Sequence, residues 1–183
     1  MKVITTPLEG LLILEPIVHK DDRGYFFESY NMRTLQASAG YDTAFVQDNQ
    51  ARSVKNVLRG LHYQNAPTPQ AKLIRVLEGA IWDVAVDIRA GSKTYKQWFG
   101  IELSAENKRQ LLIPHGFAHG YAVLTDTSEV FYKCDNYYNK AAEGGIFYAD
   151  PEIGVDWKIN LDEAIISAKD LQQPLFKVAT NSF

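Results

Sequence analysis

The chain has 183 residues, of which 46% are hydrophobic and 22% charged, with a formal net charge of −3. This length accommodates one domain with a substantial hydrophobic core. A pI of about 5.8 excludes the basic surface with which proteins bind nucleic acid, and no apolar run reaches the roughly 18 residues of a membrane-spanning helix. We therefore expect neither nucleic acid nor a membrane as a partner.

The N-terminus and the cysteine count indicate the compartment. The first 17 residues lack the charged start, long apolar stretch and small-residue cleavage site of a signal peptide. Cys134 is the only cysteine, so no internal disulfide can form, and a reducing cytosol is the default environment. Because the chain also contains no repeat, low-complexity tract or Gly/Ser linker, we predict a single cytoplasmic domain over residues 1–183.

Short apolar or alternating runs, separated by turn residues, dominate the chain. They cover residues 11–18, 24–30, 43–52, 56–64, 71–79, 80–90, 96–103, 109–114, 120–125 and 129–138. Many strands at roughly 8–12-residue spacing are typical of an antiparallel sandwich or barrel. The sequence therefore predicts a mainly β protein.

Helical signals are few. Asn31 is a suitable N-cap for a short helix over residues 32–38 that ends at Gly40. Ser167 and Asp170 have the spacing of a capping box and predict a short C-terminal helical turn. The segment 139–160 contains several glycines and a proline, which predicts a long ordered loop.

One strand carries a tyrosine whose orientation matters. In the run 129–134, Tyr132 shares a face with Val130 and Cys134, and the alternate residues share the other face. Both faces include an aromatic residue, so which one points inward stays open. If the Tyr132 face points inward, its hydroxyl must find a polar partner inside the protein.

Three of the four histidines, His62, His115 and His119, could serve chemistry, whereas His19 lies in a polar turn and is expected to be solvated. His115 and His119 have the i, i+4 spacing of a zinc helix, but Pro114 and Gly116 oppose a helix and the glutamate of such motifs is missing.

The spacing of Pro114, Gly116 and His119 instead resembles the second motif of the cupin superfamily, a small β-barrel. The first cupin motif would supply more metal ligands, yet only His62 stands there. Two scattered histidines make a poor metal site, so we expect no metal.

The stretch NVLRGLHYQ (56–64) places ionisable groups in a strand. Gly60 predicts a bulge or a close backbone approach, with Arg59 and His62 beside it, and Lys72 follows on the next strand. Each ionisable group alone has an ordinary explanation, such as a satisfied core histidine or a lysine that reaches water. Together in one barrel they are costly unless a ligand satisfies them. Cations suit phosphate, and imidazole and phenol suit proton transfer.

Six longer segments carry a family resemblance. They are DDRGYFFESY (21–30), the segment 45–64, the segment 72–104, the segment 113–139, EGGIFYADPEIGVDW (143–157) and SAKD (167–170). In order and spacing, from about residue 3 to residue 175, they resemble the dTDP-4-dehydrorhamnose 3,5-epimerase family. The resemblance implies a cupin-type double-stranded β-helix, or jelly roll, with a few short helices. It also implies a homodimer without metal or other cofactor.

The resemblance further implies roles for individual residues. His62 matches the catalytic base, Asp170 the carboxylate paired with it, Tyr132 the acid on the opposite face of the sugar, and Lys72 the lysine near the keto oxygen. The implied substrate contacts are Arg23, Glu28, Gln47, Asn49, Arg59, Lys72, His119, Glu143 and Lys169, with Phe26 and Tyr138 flanking the thymine. The segment holding Arg23 and Glu28 is expected to reach the neighbouring subunit's site. This chain has Tyr121 where the family frequently has phenylalanine.

The implied reaction inverts C3 and C5 of dTDP-4-dehydro-6-deoxy-D-glucose, which gives dTDP-4-dehydro-L-rhamnose for dTDP-L-rhamnose synthesis. Both carbons flank a ketone, so inversion requires a base, a group that stabilises the enolate oxygen and an acid on the other face. Four alternatives stay open: a mono-epimerase, a 3,4-ketoisomerase on a related dTDP-sugar, a non-catalytic sugar-binding cupin and a metal-dependent oxygenase.

Overall fold

The computed structural model describes residues 1–183 and contains fourteen strands and two α-helices. The strands are β1 (Lys2–Thr5), β2 (Leu12–Glu15), β3 (His19–Asp21), β4 (Gly24–Phe26), β5 (Gln47–Val54), β6 (Val57–Gln64), β7 (Lys72–Glu78), β8 (Ala80–Asp87), β9 (Trp98–Ser104), β10 (Gln110–Ile113), β11 (Phe117–Val123), β12 (Thr127–Cys134), β13 (Glu143–Gly145) and β14 (Ile165–Ile166). The helices are α1 (Met32–Ala39) and α2 (Ala168–Leu171), and single 3₁₀ turns lie at Lys140–Ala142, Leu161–Glu163 and Phe176–Val178.

Most strands belong to two sheets that pack face to face. The first has the order β1-β2-β10-β7-β12-β5 and the second the order β13-β6-β11-β8-β9, with β14 added parallel to β6. The short hairpin β3–β4 stands apart from both sheets. Neighbours that are distant in sequence, such as β10 with β7 and β11 with β6, are characteristic of the jelly roll. The predicted mainly β, cupin-type barrel with few short helices is confirmed.

The main hydrophobic core lies between the two sheets. Its cluster of 14 buried residues includes Ile74 and Val130 from the first sheet and Ala85 and Val123 from the second. Tyr132 packs against the same cluster, so the face of β12 that carries Tyr132 points inward. This settles the orientation that the alternating sequence left open.

A second core covers the outer side of the second sheet. Leu58, Leu61 and Val86 pack there against Trp157 and Phe176 from the C-terminal segment. This packing explains why residues 139–160 are ordered although they are mostly irregular, as predicted. The three-residue strand β13 inside this segment was not predicted, and it pairs with β6.

The prediction of α1 is confirmed almost to the residue. The Asn31 side chain accepts hydrogen bonds from the backbone N–H groups of Arg33 and Thr34. At the other end Gly40 adopts the left-handed conformation (φ 67°) and its N–H donates to the carbonyl of Gln36. The helix therefore begins and ends where its capping residues indicate.

The predicted strand over residues 24–30 is wrong in its second half. Only Gly24–Phe26 is a strand, and the chain then turns toward α1. Glu28 accepts hydrogen bonds from the side chains of Asn31 and Thr34, which ties this segment to the helix N-terminus instead of to a sheet.

Neither the length nor the apolar character of any helix in this protein is sufficient for it to cross a bilayer.

Candidate active site

A cavity of about 530 Å³ opens between the sheets. It is lined by Ala51, Val57, Leu58, Arg59, His62, Lys72, His119, Tyr121, Tyr132, Ile165, Ile166, Ser167, Lys169 and Asp170. An adjoining cavity of about 290 Å³ also includes His62, Lys72 and Tyr132 in its lining. The structure therefore brings all four predicted catalytic residues to one place, with three of them at the junction of the two cavities.

His62 and Asp170 form a close pair in the wall of the cavity. The His62 Nε2 atom lies 2.6 Å from Asp170 Oδ1, and the Asp170 side chain is almost fully buried. Burial acts to raise the pKa of Asp170, but the hydrogen bond and charge of His62, together with hydrogen bonds from Gly60 and Ser167, hold the pKa below its usual range. Asp170 therefore stays ionised and can stabilise an imidazolium.

Local structure at both partners holds this pair in place. Ser167 caps α2 by accepting a hydrogen bond from the Asp170 N–H at 3.1 Å, which confirms half of the predicted capping box. The Asp170 carboxylate, however, turns away from the helix start toward His62, and it also accepts a hydrogen bond from the Gly60 N–H at 3.4 Å. Asp170 is therefore more than a helix cap.

Gly60 marks a close backbone approach, as predicted. It has φ of +127°, and a Cβ at this position would lie 2.5 Å from the Cα of Gly120 on β11. The register between β6 and β11 shifts at this point, between His119 and Tyr121. Such irregularities re-aim side chains near functional sites, and here the shift lies beside His62.

A second histidine–carboxylate pair, which was not predicted, lies deeper in the same wall. His119 Nε2 lies 3.1 Å from Asp83 Oδ2, and both residues are buried. Ala85 lies opposite His119 in the β8–β11 pair, so Asp83, two residues earlier, shares its face. Burial lowers the pKa of His119, although Asp83 opposes the effect. His119 is therefore held neutral and suited to hydrogen bonding.

The opposite wall, from the first sheet, contributes Lys72 and Tyr132. The Lys72 ammonium lies 6.0 Å from the centroid of the Tyr132 ring and forms no salt bridge. Burial lowers the pKa of Lys72, while Cys134, Asp83 and Glu143 oppose it to a smaller degree. Burial also raises the pKa of Tyr132 to about 12, so the phenol keeps its proton at neutral pH.

Most of the predicted substrate contacts lie around these residues. Arg59 donates from Nε and Nη2 to Ser53 Oγ, both at 3.2 Å, and lines the main cavity. Lys169 Nζ lies 2.5 Å from Glu143 Oε1, and the Tyr138 hydroxyl donates to Glu143 Oε2 at 3.0 Å.

The adjoining cavity adds two amides from β5. Gln47 Nε2 donates to Asn49 Oδ1 at 3.1 Å, and Gln47 Oε1 accepts from the backbone N–H of Tyr138 at 2.8 Å. Amides and a tyrosine ring beside a salt bridge provide both hydrogen bonds and a stacking surface for a polar, flat ligand.

Three predicted contacts lie elsewhere in the single chain. Arg23 is highly exposed and pairs with Asp21 at 2.5 Å, and Phe26 is 73% exposed at the end of the β3–β4 hairpin. Glu28 is bonded to the start of α1. Their expected role in a neighbouring subunit's site stays a prediction.

The zinc-helix alternative for residues 115–119 is wrong, because His119 lies in β11. His115 lies outside the cavity lining and pairs with Asp135 at 2.8 Å. No group of three or more His, Cys, Asp or Glu side chains is arranged to hold a metal ion.

The fold and this arrangement of side chains define a cupin-type enzyme equipped to move protons on a small molecule. The model of the dTDP-4-dehydrorhamnose 3,5-epimerase family matches residues 5–178. The dTDP-4-dehydrorhamnose 3,5-epimerase of Salmonella typhimurium is 51% identical over 180 residues, which cover 98% of this chain and 97% of that protein. The chain therefore belongs to the dTDP-4-dehydrorhamnose 3,5-epimerase family and is an isomerase.

Solved structures agree in fold. The Legionella pneumophila dTDP-6-deoxy-D-glucose-3,5-epimerase, in complex with dTDP-4-keto-L-rhamnose, has a TM-score of 0.93 at 45% identity and covers 97% of this chain and 93% of its own. A 3′-monoepimerase from Streptomyces bikiniensis, in complex with dTDP-quinovose, has a TM-score of 0.88 at 31% identity, with 97% and 88% coverage. The fold thus serves enzymes of both kinds.

Proposed function

We propose that this chain inverts both C3 and C5 of dTDP-4-dehydro-6-deoxy-D-glucose. The observation that supports this proposal most directly is that His62 and Tyr132 extend from opposite sheets into one cavity. A sugar ring held between the sheets presents one face to the imidazole and the other to the phenol. This is the geometry that an epimerase needs, because inversion requires the proton to leave one face and return to the other.

His62 is the proposed base. It removes the proton at C3 or C5, each of which is acidified by the neighbouring ketone, and becomes an imidazolium. Asp170, ionised and 2.6 Å from Nε2, stabilises that charge and orients the ring so that Nδ1 faces the substrate. The carboxylate–imidazole pair plays the same part in serine proteases.

Lys72 is the proposed stabiliser of the enolate. Loss of the proton places negative charge on O4, and a desolvated ammonium at that oxygen lowers the barrier strongly. Lys72 has no carboxylate bonded to it, so its charge is available to a ligand. Its buried position, which lowers its pKa, is tolerable when the enolate supplies the counter-charge.

Tyr132 is the proposed acid. Its phenol delivers a proton to the other face of the carbanionic carbon and leaves a phenolate. Solvent then returns one proton to Tyr132 and accepts one from His62, which completes the cycle without any net oxidation. The Arg59 guanidinium favours the transient phenolate, since it lowers the pKa of Tyr132 against the effect of burial.

The remaining cavity residues are proposed to bind the nucleotide and the sugar. Arg59 and Lys169 would neutralise the diphosphate, and Tyr138 would stack on thymine with Phe26 from a partner subunit. Gln47, Asn49, His119 and Glu143 would supply hydrogen bonds. The Legionella relative, crystallised with dTDP-4-keto-L-rhamnose, supports this substrate class.

We further propose a cytoplasmic homodimer. Phe26 is 73% exposed at the end of a hairpin that belongs to neither main sheet. An exposed aromatic residue on a protruding hairpin is suited to insertion into a second copy. Arg23 and Glu28 on the same segment would then contribute to the neighbour's site.

The test is an incubation with dTDP-4-dehydro-6-deoxy-D-glucose in D₂O, followed by proton NMR and coupled to a reductase specific for the L-rhamno product. We expect deuterium at both C3 and C5 and formation of the reduced product. Deuterium at one carbon only would instead identify a mono-epimerase, the activity of the Streptomyces bikiniensis relative. Absence of exchange at either carbon would contradict the proposal.

A further inference from the structure

One buried polar atom in the main cavity has no partner in the protein. Three buried side-chain polar atoms lack a hydrogen bond, on Thr68, Tyr121 and Ser128, and of these residues only Tyr121 lines the main cavity. Tyr121 is 4% exposed. A buried hydroxyl without a partner costs free energy, which indicates that a ligand completes its hydrogen bonding.

Tyr121 lies among the residues already assigned to the site. It lies opposite Arg59 in the β6–β11 pair, and its ring centroid is 6.3 Å from that of His119. Burial raises its pKa while the Arg59 guanidinium and Ser53 oppose the shift. The phenol is therefore neutral and can both donate and accept a hydrogen bond.

Ser53 is the protein group nearest to satisfying this hydroxyl, since it lowers the pKa of Tyr121 in the way a hydrogen-bond partner does. The two hydroxyls nevertheless do not meet hydrogen-bond geometry. The Ser53 oxygen is already shared by two N–H groups of Arg59. Tyr121 lines the cavity in which the sugar is proposed to lie.

We infer that Tyr121 is a substrate-binding residue that hydrogen-bonds the C2 hydroxyl of the sugar. This inference rests on the proposed function. In that reaction O4 is assigned to Lys72, and the C3 hydroxyl changes its orientation when C3 is inverted. The C2 hydroxyl keeps its configuration from substrate to product, so a rigid phenol can hold it throughout.

This contact would hold the ring in register while C3 and C5 are presented in turn to His62 and Tyr132. A neutral hydrogen bond contributes roughly 2- to 12-fold in an equilibrium or rate constant, which is the factor equivalent to its usual net strength. It also provides specificity, because a sugar without the C2 hydroxyl leaves the Tyr121 phenol unpaired.

The test compares the parent protein with Tyr121→Phe on the full substrate and on its 2-deoxy analogue. We expect Tyr121→Phe to lower kcat/KM for the full substrate by about 2- to 12-fold and to leave the value for the 2-deoxy analogue unchanged. An equal loss on both substrates, or no loss on either, would overturn the inference; the second result would mean that an internal water alone satisfies the hydroxyl.

Tyr41→Phe is the matched control. The Tyr41 hydroxyl donates to Asp135 Oδ2 at 2.9 Å and does not line the cavity. Its removal should lower Tm by about 2–4 °C without changing the 2-hydroxyl preference. Tyr121→Phe, which deletes an unpaired group, should leave Tm of the free protein unchanged or higher. If the parent itself shows no turnover, the proposed function fails and not this inference alone.

Discussion

The two walls of the cavity hold their ionisable groups in opposite ways. The wall from the second sheet pairs each histidine with a carboxylate, His62 with Asp170 and His119 with Asp83. The wall from the first sheet leaves Lys72 and Tyr132 without any ionic partner. Burial lowers the pKa of Lys72 and raises that of Tyr132, and both shifts favour the uncharged side chain. The wall from the second sheet, the partnered wall, therefore fixes the orientation of its two histidines. The wall from the first sheet, the unpartnered wall, leaves its amine and phenol free to interact with charge on a bound ligand.

The paired wall also contains an internal contrast. The His62 side chain is 30% exposed, whereas that of His119 is only 8% exposed. His62 receives its carboxylate from a separate segment, α2, whereas His119 receives it from the neighbouring strand. Two chemically identical pairs are therefore suited to different tasks: in the proposed mechanism the His62 imidazole exchanges a proton with the substrate, whereas burial favours the neutral form of His119.

Replacing the exposed histidine should have the largest effect. His62→Asn should lower kcat by about 10²–10⁴-fold, the usual contribution of a general base, while dTDP binding measured by calorimetry persists. His119→Asn, the matched variant of the buried pair, should raise KM more than it lowers kcat. Equal losses of kcat in both variants would remove the distinction between the pairs.

Removing the carboxylate of the first pair should have the next largest effect. Asp170→Asn keeps the size of the side chain but removes the charge that stabilises the His62 imidazolium. A hydrogen bond to a charged group contributes about 1.5–3 kcal/mol, so steady-state kcat should fall by about 10- to 150-fold. Asp170→Glu, which restores a carboxylate, should recover part of this loss, whereas an inactive Glu variant with an intact fold would argue for a purely structural role.

How far the sequence predicts this site depends on the range of the interactions. Asn31 and Gly40 act on their own helix, so α1 could be predicted almost to the residue. The Asp83–His119 pair joins residues 36 positions apart through the register of β8 and β11. Neither strand signals its register locally, and Asp83 by itself carries no sequence signal of this pairing.

The inward face of β12 stayed open and the extent of β4 was predicted wrongly for a related reason. Both faces of β12 contact other parts of the protein, so alternation alone could not choose the inward face. Residues 27–30 have strand-like composition, but the hydrogen bonds of Glu28 to the start of α1 decide their path. The roles of His62, Tyr132 and Asp170 came from the family resemblance, and the structure adds only that they converge.

The unpartnered wall should determine the alkaline limit of activity. Because burial lowers the pKa of Lys72 below 10.5, its ammonium is lost at a lower pH than usual, whereas Tyr132, with a pKa of about 12, remains protonated there. A plot of kcat against pH should therefore show kcat decreasing once the pH exceeds the pKa of Lys72.

Lys72→Arg should move this alkaline limb upward by about one pH unit or more, since guanidinium keeps its charge to above pH 12. Tyr132→Phe, although much slower, should keep the limb where it is. An unmoved limb in the arginine variant would show that another group, and not Lys72, supplies the charge at O4.

The buried histidine should leave a small signature in stability. Its pKa is lowered in the folded protein, so below about pH 6.5 the unfolded chain binds more protons. The contribution of His119 to the free energy of unfolding is therefore fully present above that pH. It decreases as the pH falls, by up to about 1.4 kcal/mol at pH 5.5.

Urea titrations at pH 7.5 and 5.5 should show this loss in the parent protein and a smaller one in His119→Gln, whose amide can still donate to Asp83. His19→Gln, at an exposed position in β3, is the control and should keep the parental loss. The Asp170 pair acts in a different window, because its carboxyl pKa is depressed and its stabilisation is lost only below about pH 4. If His119→Gln retains the full loss at pH 5.5, His119 is not held neutral, and the assigned difference between the two pairs is wrong.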